Sequence, residues 1–240
     1  MTPEIFDKIT LIHGDCMDYL RTLPDNAFDL AICDPPYGGA GNDDFNGRWQ
    51  GGGKRINKYK RFHGRFDRYK IDRTGGTWAS KYKKDINAWD IAPDDEYFEE
   101  LFRVSKNQII WGGNYFELPP TRCFVVWQKF IPEQFTMAMC EYAWTSFNDN
   151  AKFIKLSSNG SHTGTKRFHP TEKPVALYKW LLKNYAKEGD RILDSHLGSG
   201  SIAIAAHDGG FELTGIEIDG DYYNAAKKRL TEHQKQIRLF

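Results

Sequence analysis

Arg191-Ile192-Leu193-Asp194-Ser195-His196-Leu197-Gly198-Ser199-Gly200-Ser201 reads as a strand that runs into a glycine-rich turn and then into a helix. The glycines let backbone approach a ligand closely, and a helix amino terminus presents unpaired N–H groups to polar atoms. Glu217 follows 23 residues after Asp194, at the end of the next apparent strand. An acidic residue at that place in a βαβ unit accepts hydrogen bonds from ribose hydroxyls. Turn and acid together outline a site for a nucleoside-containing ligand. Gly198 and Gly200 alone would equally suit an ordinary tight βα turn. The stretch lacks both the third glycine of a dinucleotide fingerprint and the Gly-Lys-Ser/Thr of a P-loop, which weighs against NAD and ATP.

Outward from this stretch the pattern alternates. Residues 174–185 are predicted helical, 191–193 a strand, 201–207 a helix, 212–218 a strand and 221–230 a helix. Toward the amino end, a strand is expected over 10–13, a helix carrying Met17, Tyr19, Leu20 and Leu23 up to Pro24-Asp25-Asn26, and a strand over 30–33. Further strands are expected over 108–111, 123–127, 141–146 and 152–156, each rich in β-branched or aromatic residues. Such alternation predicts an α/β fold with a doubly wound, mostly parallel sheet.

At 240 residues the chain is expected to form a single domain carrying a large insertion. Its longest apolar runs are strand-length, so no membrane-spanning helix is expected. Glu4, Asp7 and Lys8 interrupt the apolar residues of the first dozen positions, which is unlike a signal peptide. Cys16, Cys33, Cys123 and Cys140 are widely spaced, as expected for reduced, mostly buried thiols in a cytoplasmic protein, without a metal site. The net charge is +1, yet residues 41–90 hold thirteen Lys and Arg against six Asp. That local excess of seven leaves about −6 for the rest of the chain. The same segment interleaves Trp49, Tyr59, Phe62, Phe66, Tyr69, Trp78 and Tyr82 with its basic residues. So long a connection without a clear element pattern suggests a functional insertion. A solvated charged loop is the plainer alternative.

Upstream of that insertion, the apolar run Leu30-Ala31-Ile32-Cys33 delivers Asp34-Pro35-Pro36-Tyr37. Two prolines fix φ twice and remove two backbone donors, so the loop offers a carboxylate and carbonyl oxygens as acceptors with little conformational freedom. That suits an amino group. Tyr37 adds an aromatic face on which a planar base can stack. Read in isolation, the tetrapeptide is equally a proline-rich turn.

Taken together, Gly14-Asp15, Asp34-Pro35-Pro36-Tyr37, His169-Pro170-Thr171-Glu172-Lys173-Pro174, Asp194 to Ser201 and Gly215-Ile216-Glu217 resemble the beta-type amino DNA methyltransferases. These enzymes use S-adenosylmethionine and carry the catalytic motif ahead of the cofactor motif. The resemblance spans nearly the whole chain outside the insertion. It implies a Rossmann-like methyltransferase sheet with circularly permuted motif order, and transfer of a methyl group to the exocyclic N6 amine of adenine in duplex DNA, the base being flipped from the helix. Asp34, Pro35, Pro36 and Tyr37 are then catalytic. Asp15 and Cys16 would contact the cofactor adenine, Thr171 and Lys173 its methionine end, Asp194 its amino group, Ser195, Gly198 and Gly200 its loop-facing atoms, and Glu217 its ribose. Asp15 is on sequence alone equally a helix N-cap, and so is Thr171. Ser195-His196 departs from the family's usual Pro-Phe.

Asp at the head of the tetrapeptide accompanies adenine N6 chemistry in this family, and Ser accompanies cytosine N4. Both reactions need the same acceptors. Arg48, Lys54, Arg55, Lys58 and Lys60 are the expected DNA contacts. Alternative readings are a cytosine-N4 enzyme, an RNA or protein amino-methyltransferase, and a catalytically silent DNA-binding module. The sequence does not set the oligomeric state, a homodimer being one possibility.

Overall fold

The computed structural model describes residues 2–37, 91–131, 138–157 and 172–236. The chain divides into two compact units: Met1–Pro35 with Tyr97–Phe240, and Pro36–Glu96. Of the second, only 36, 37 and 91–96 are described. Arg48, Lys54, Arg55, Lys58, Lys60 and Thr171 lie outside the described residues, as does nearly all of the basic segment.

The first unit is built on a sheet in the order β1-β2-β9-β8-β3-β4-β6-β5-β7. Its strands are β1 Glu4–Phe6, β2 Ile9–His13, β3 Phe28–Cys33, β4 Ser105–Trp111, β5 Phe124–Gln128, β6 Cys140–Thr145, β7 Lys152–Lys155, β8 Arg191–Asp194 and β9 Glu212–Glu217. The central run β2-β9-β8-β3-β4 is parallel throughout. β6 then runs antiparallel between β4 and β5, so its first residues stand at the edge where the parallel strands end. The helices are α1 Cys16–Leu20, α2 Asp95–Val104, α3 Val175–Tyr185, α4 Ser201–Gly209 and α5 Gly220–Gln234, with a 3-10 turn at Gly113–Tyr115. No helix among the described residues is long and apolar enough to cross a membrane.

Strand side chains alternate between faces, and here both faces are buried. Leu30 and Ile32 join Ile9, Leu11, Ile109 and Trp111 on one side, where α3, α4 and α5 contribute Leu177, Leu181, Ile202, Ala203, Ala226 and Leu230. Ala31 and Cys33 join Ile12, Ile110, Leu193 and Ile216 on the other, covered by Leu20 of α1 and by Tyr97, Leu101 and Val104 of α2. Helix on both faces is what a parallel sheet requires, because its crossovers lie there and its strands read as unbroken apolar runs.

Two elements have no counterpart in the sequence reading: β1, a three-residue antiparallel edge strand on β2, and α2. Arg103 of α2 donates to the Leu20 and Leu23 carbonyls, at 3.0 and 2.7 Å, so α2 fixes the turn that follows α1. That helix stops at Leu20 rather than reaching Leu23. At the head of α3 the N-cap position belongs to Pro174, without a side-chain cap, not to Thr171. All four cysteines are free, but only Cys33 and Cys123 are buried; Cys140 is exposed, against the expectation of mostly buried thiols.

Candidate active site

Four carboxylates mark the carboxyl ends of adjacent parallel strands: Asp15 after β2, Glu217 closing β9, Asp194 closing β8 and Asp34 after β3. In open α/β sheets this edge is where ligands bind. Sequence reasoning named all four, and the sheet order makes neighbours of them although they are scattered along the chain.

The glycine turn between β8 and α4 is held from several sides. Gly198 and Gly200 have φ of 52° and 70°, in the left-handed region. A Cβ on Gly200 would also meet the Ala226 Cβ at 2.9 Å, so helix α5 packs where only glycine fits. Glu217 accepts N–H groups of Gly198 at 2.8 Å and Asp219 at 2.9 Å. A carboxylate has about four acceptor sites, which leaves capacity for ribose hydroxyls. Burial raises its pKa. Arg229 of α5 donates to the Ser199 carbonyl at 2.9 Å and pairs with Glu172 at 3.2 Å, tying the turn to the residue before Lys173. The sequence reading missed Arg229, which follows Lys227 and Lys228 on α5 with nothing local to single it out.

Asp194 is 1 % exposed and accepts the His196 N–H at 3.0 Å. Burial pushes its carboxyl up to about 8, with Asp34 and Glu217 adding to the rise. Lys173 acts on it only from a distance, and a buried carboxyl with no ion pair among the described residues fits a cationic amino group. Ser195 turns inward: its Oγ lies 2.8 Å from Tyr97 Oη and 2.9 Å from His196 Nδ1, and donates to Cys33 Sγ at 3.2 Å. The His196 ring meets Tyr97 edge-on at 5.3 Å, so the Ser-His pair keeps an aromatic ring at the family's Phe position. Burial lowers the His196 pKa to about 4, which keeps that ring neutral.

Asp15 caps α1 by accepting the Met17 N–H at 2.9 Å and is exposed, so capping and ligand contact are compatible. Burial raises the thiols of Cys16 and Cys33 to about 12, leaving both poor nucleophiles.

Lys173 holds the least anticipated place. It is 3 % exposed, ion-pairs through Nζ with Asp34 Oδ2, and stands 3.3 Å from Glu141 Oε2. Lys129 pairs with the other oxygen of Glu141. Burial opposes the charge on Lys173, but Asp34 and Glu141 outweigh it and hold its pKa above the usual lysine value. Burial likewise opposes ionisation of Glu141, and Lys173 and Lys129 outweigh that, so its pKa is lowered. Sequence reasoning saw Glu141 only as the start of a strand. Pro35 is buried beside Asp34, whereas Pro36 and Tyr37 belong to the second unit.

The N6/N4 family model described as DNA methylase matches residues 77–228, more than half of the chain. The chain belongs to that DNA methylase family. Type II methyltransferase M2.DpnII of Streptococcus pneumoniae is 26% identical to this methylase, over 93% of this chain and 90% of the relative. M2.LlaDCHI of Lactococcus lactis subsp. cremoris is also 26% identical, over 97% and 93%. Among solved structures, M1.HpyAVI in its SAM complex superposes with a TM-score of 0.52 at 17% identity, covering 92% of this chain and 100% of the other. PvuII DNA methyltransferase, cytosine-N4-specific, gives 0.52 at 12% identity, covering 94% and 90%. At such identities these two likenesses establish the Rossmann-like methyltransferase fold.

Proposed function

We propose that this methylase transfers a methyl group from S-adenosylmethionine to the N6 amine of adenine in duplex DNA. The observation that carries the reading is the adjacency of β3 and β8, which puts the Asp34-Pro35 acceptors beside the glycine turn, Asp194 and Glu217 on one sheet edge. When bound, S-adenosylmethionine supplies an electrophilic methyl group on a sulfonium, so the chain needs to provide neither a nucleophile nor a metal. Asp194 holds the cofactor's amino group, Glu217 its ribose and Asp15 its adenine. The side chain of Ile218, 62% exposed at the end of β9, offers that ring an apolar face.

Asp34 and the Pro35 carbonyl accept the two N–H groups of the target amine. Positive charge grows on nitrogen as it becomes tetrahedral, and fixed acceptors stabilise it while keeping the nitrogen in line with the methyl carbon. Tyr37 stacks on the flipped base. Asp at the head of the tetrapeptide favours adenine over cytosine. Arg48, Lys54, Arg55, Lys58 and Lys60 neutralise DNA phosphates, and residues 41–90 form the DNA-contacting part of one methyltransferase domain.

Tritium transfer from labelled S-adenosylmethionine to unmethylated duplex DNA, followed by nucleoside digestion and mass spectrometry, tests the reading. N6-methyldeoxyadenosine is expected. N4-methyldeoxycytidine would keep the chemistry and overturn the base, and label appearing only in RNA or protein would overturn the substrate. DNA binding with neither cofactor binding nor transfer would leave a catalytically silent DNA-binding module.

A further inference from the structure

Lys129, Glu141, Lys173 and Asp34 form a row of alternating charges: Lys129 on Glu141, Glu141 on Lys173, Lys173 on Asp34. The Lys173 ammonium is the buried middle of the row, over the face of the Trp111 ring at 5.2 Å from its centroid. β6 alone in this part of the sheet opens at the edge where its parallel neighbours close, and Gly112 N–H bonds to the Tyr142 carbonyl at 2.9 Å. That pairing fixes Glu141 opposite Asp34 across one cation. Glu141 Oε2 has no hydrogen-bond partner and no solvent contact, so the charge of Lys173 is its compensation.

We propose that Glu141 is a positioning residue for methyl transfer, acting through Lys173 on Asp34. The inference rests on the reading of Asp34 as the amine acceptor. A buried ammonium between two carboxylates is divided between them. With Glu141 ionised, Lys173 orients the Asp34 carboxylate by direct contact while Glu141, 3.3 Å from the same ammonium, balances part of its charge, and Asp34 keeps acceptor strength for the amine N–H. Without the charge at 141, Asp34 is the carboxylate left ion-paired with Lys173 among the described residues. The charge of the cation then falls undivided on that carboxylate and competes with the amine for it. A misplaced acceptor lowers the rate of the chemical step and changes cofactor binding little: of the row only Lys173 was expected at the cofactor, at its methionine end, and its ammonium is engaged by Asp34 and Glu141, while the groups assigned to the adenine, ribose and amino group lie outside the row.

The test compares wild type, Glu141→Gln and Glu141→Asp in single-turnover methyl transfer to duplex DNA. Cofactor affinity is measured by calorimetry and the folded state by thermal unfolding. Glu141→Gln, which keeps the size, should lose about 10- to 100-fold in the single-turnover rate, with cofactor Kd within about twofold of wild type and an unfolding midpoint little changed. Glu141→Asp should recover part of that loss. Transfer by Glu141→Gln at the wild-type rate would overturn the inference alone. So would a rate loss matched by equal losses of affinity and midpoint, which would make Glu141 structural. No transfer to DNA by the wild type would overturn the reading of Asp34 and this inference with it.

Discussion

Asp34 and Asp194 stand on neighbouring strands, yet their surroundings differ. Asp34 has Lys173 on one oxygen, whereas Asp194 is sealed in with a backbone N–H as its partner. Replacing Asp34 by Ala should cut transfer by about 100-fold or more while cofactor affinity stays within a few-fold, because the acceptor for the amine is removed and Asp15, Asp194 and Glu217 stay in place. Equal loss of both, in transfer assays and calorimetry, would make the residue structural. For Asp194 the sign runs the other way from an ordinary carboxylate. With its pKa pushed up to about 8, it is protonated in the free protein below that value. Docking of a cationic amino group favours the ionised form, so binding releases a proton. At pH 6.5, where an α-amino group of pKa about 7.7–8.0 is still charged, the binding heat should depend on the buffer's ionisation enthalpy. Affinity should strengthen as pH rises toward 8. Heats identical in phosphate and Tris would contradict this. His196, lowered to about 4, is protonated in the unfolded chain below about 6.5 but not in the fold. Its contribution to stability is complete above 6.5 and is lost as pH falls from there to 4. His196→Phe, which restores the family's residue, should flatten the dependence of the unfolding midpoint over that interval.

Helix α2 shows why some elements escaped the sequence reading. Tyr97, Phe98, Leu101 and Val104 form its buried stripe, but the helix follows directly on a basic, aromatic segment without a periodic pattern. The acidic first turn, Asp95 and Glu96, was the available signal. Leu101 is wholly buried against Leu20, Phe28 and their neighbours, so Leu101→Ala should cost about 2–5 kcal/mol in denaturant unfolding. A cost below about 1 kcal/mol would mean that α2 is not part of the cooperative core. The strands that carry Asp34, Asp194 and Glu217 were legible because each brings apolar residues up to a closing charge, a local pattern. Glu141 was not, because a charge opening a strand normally faces water. Its partner Lys173 lies 32 residues further on, and only the antiparallel turn of β6 brings them together. Arg229 was hidden for the same reason: its partners Ser199 and Glu172 are set by packing, with no trace in local periodicity.

At the scale of the whole molecule, near-neutral net charge conceals a basic segment and an acidic remainder. Replacing Lys54, Arg55, Lys58 and Lys60 together by Gln should weaken DNA binding. The slope of log K against log salt should become shallower by about 0.9 for each phosphate no longer neutralised. An unchanged slope would move the DNA surface elsewhere. The sheet itself has a further consequence. β3 and β8 lie side by side, with Ser195 against Cys33, although 162 residues separate these two. During translation at about 5–20 residues per second, the loop for the target amine leaves the ribosome about ten to thirty seconds before the strand that completes the cofactor side. The nascent chain therefore passes through a long interval with one half of its site made and the other unwritten. A product cut short before β8 would carry Asp-Pro-Pro-Tyr yet have nowhere to hold a methyl donor.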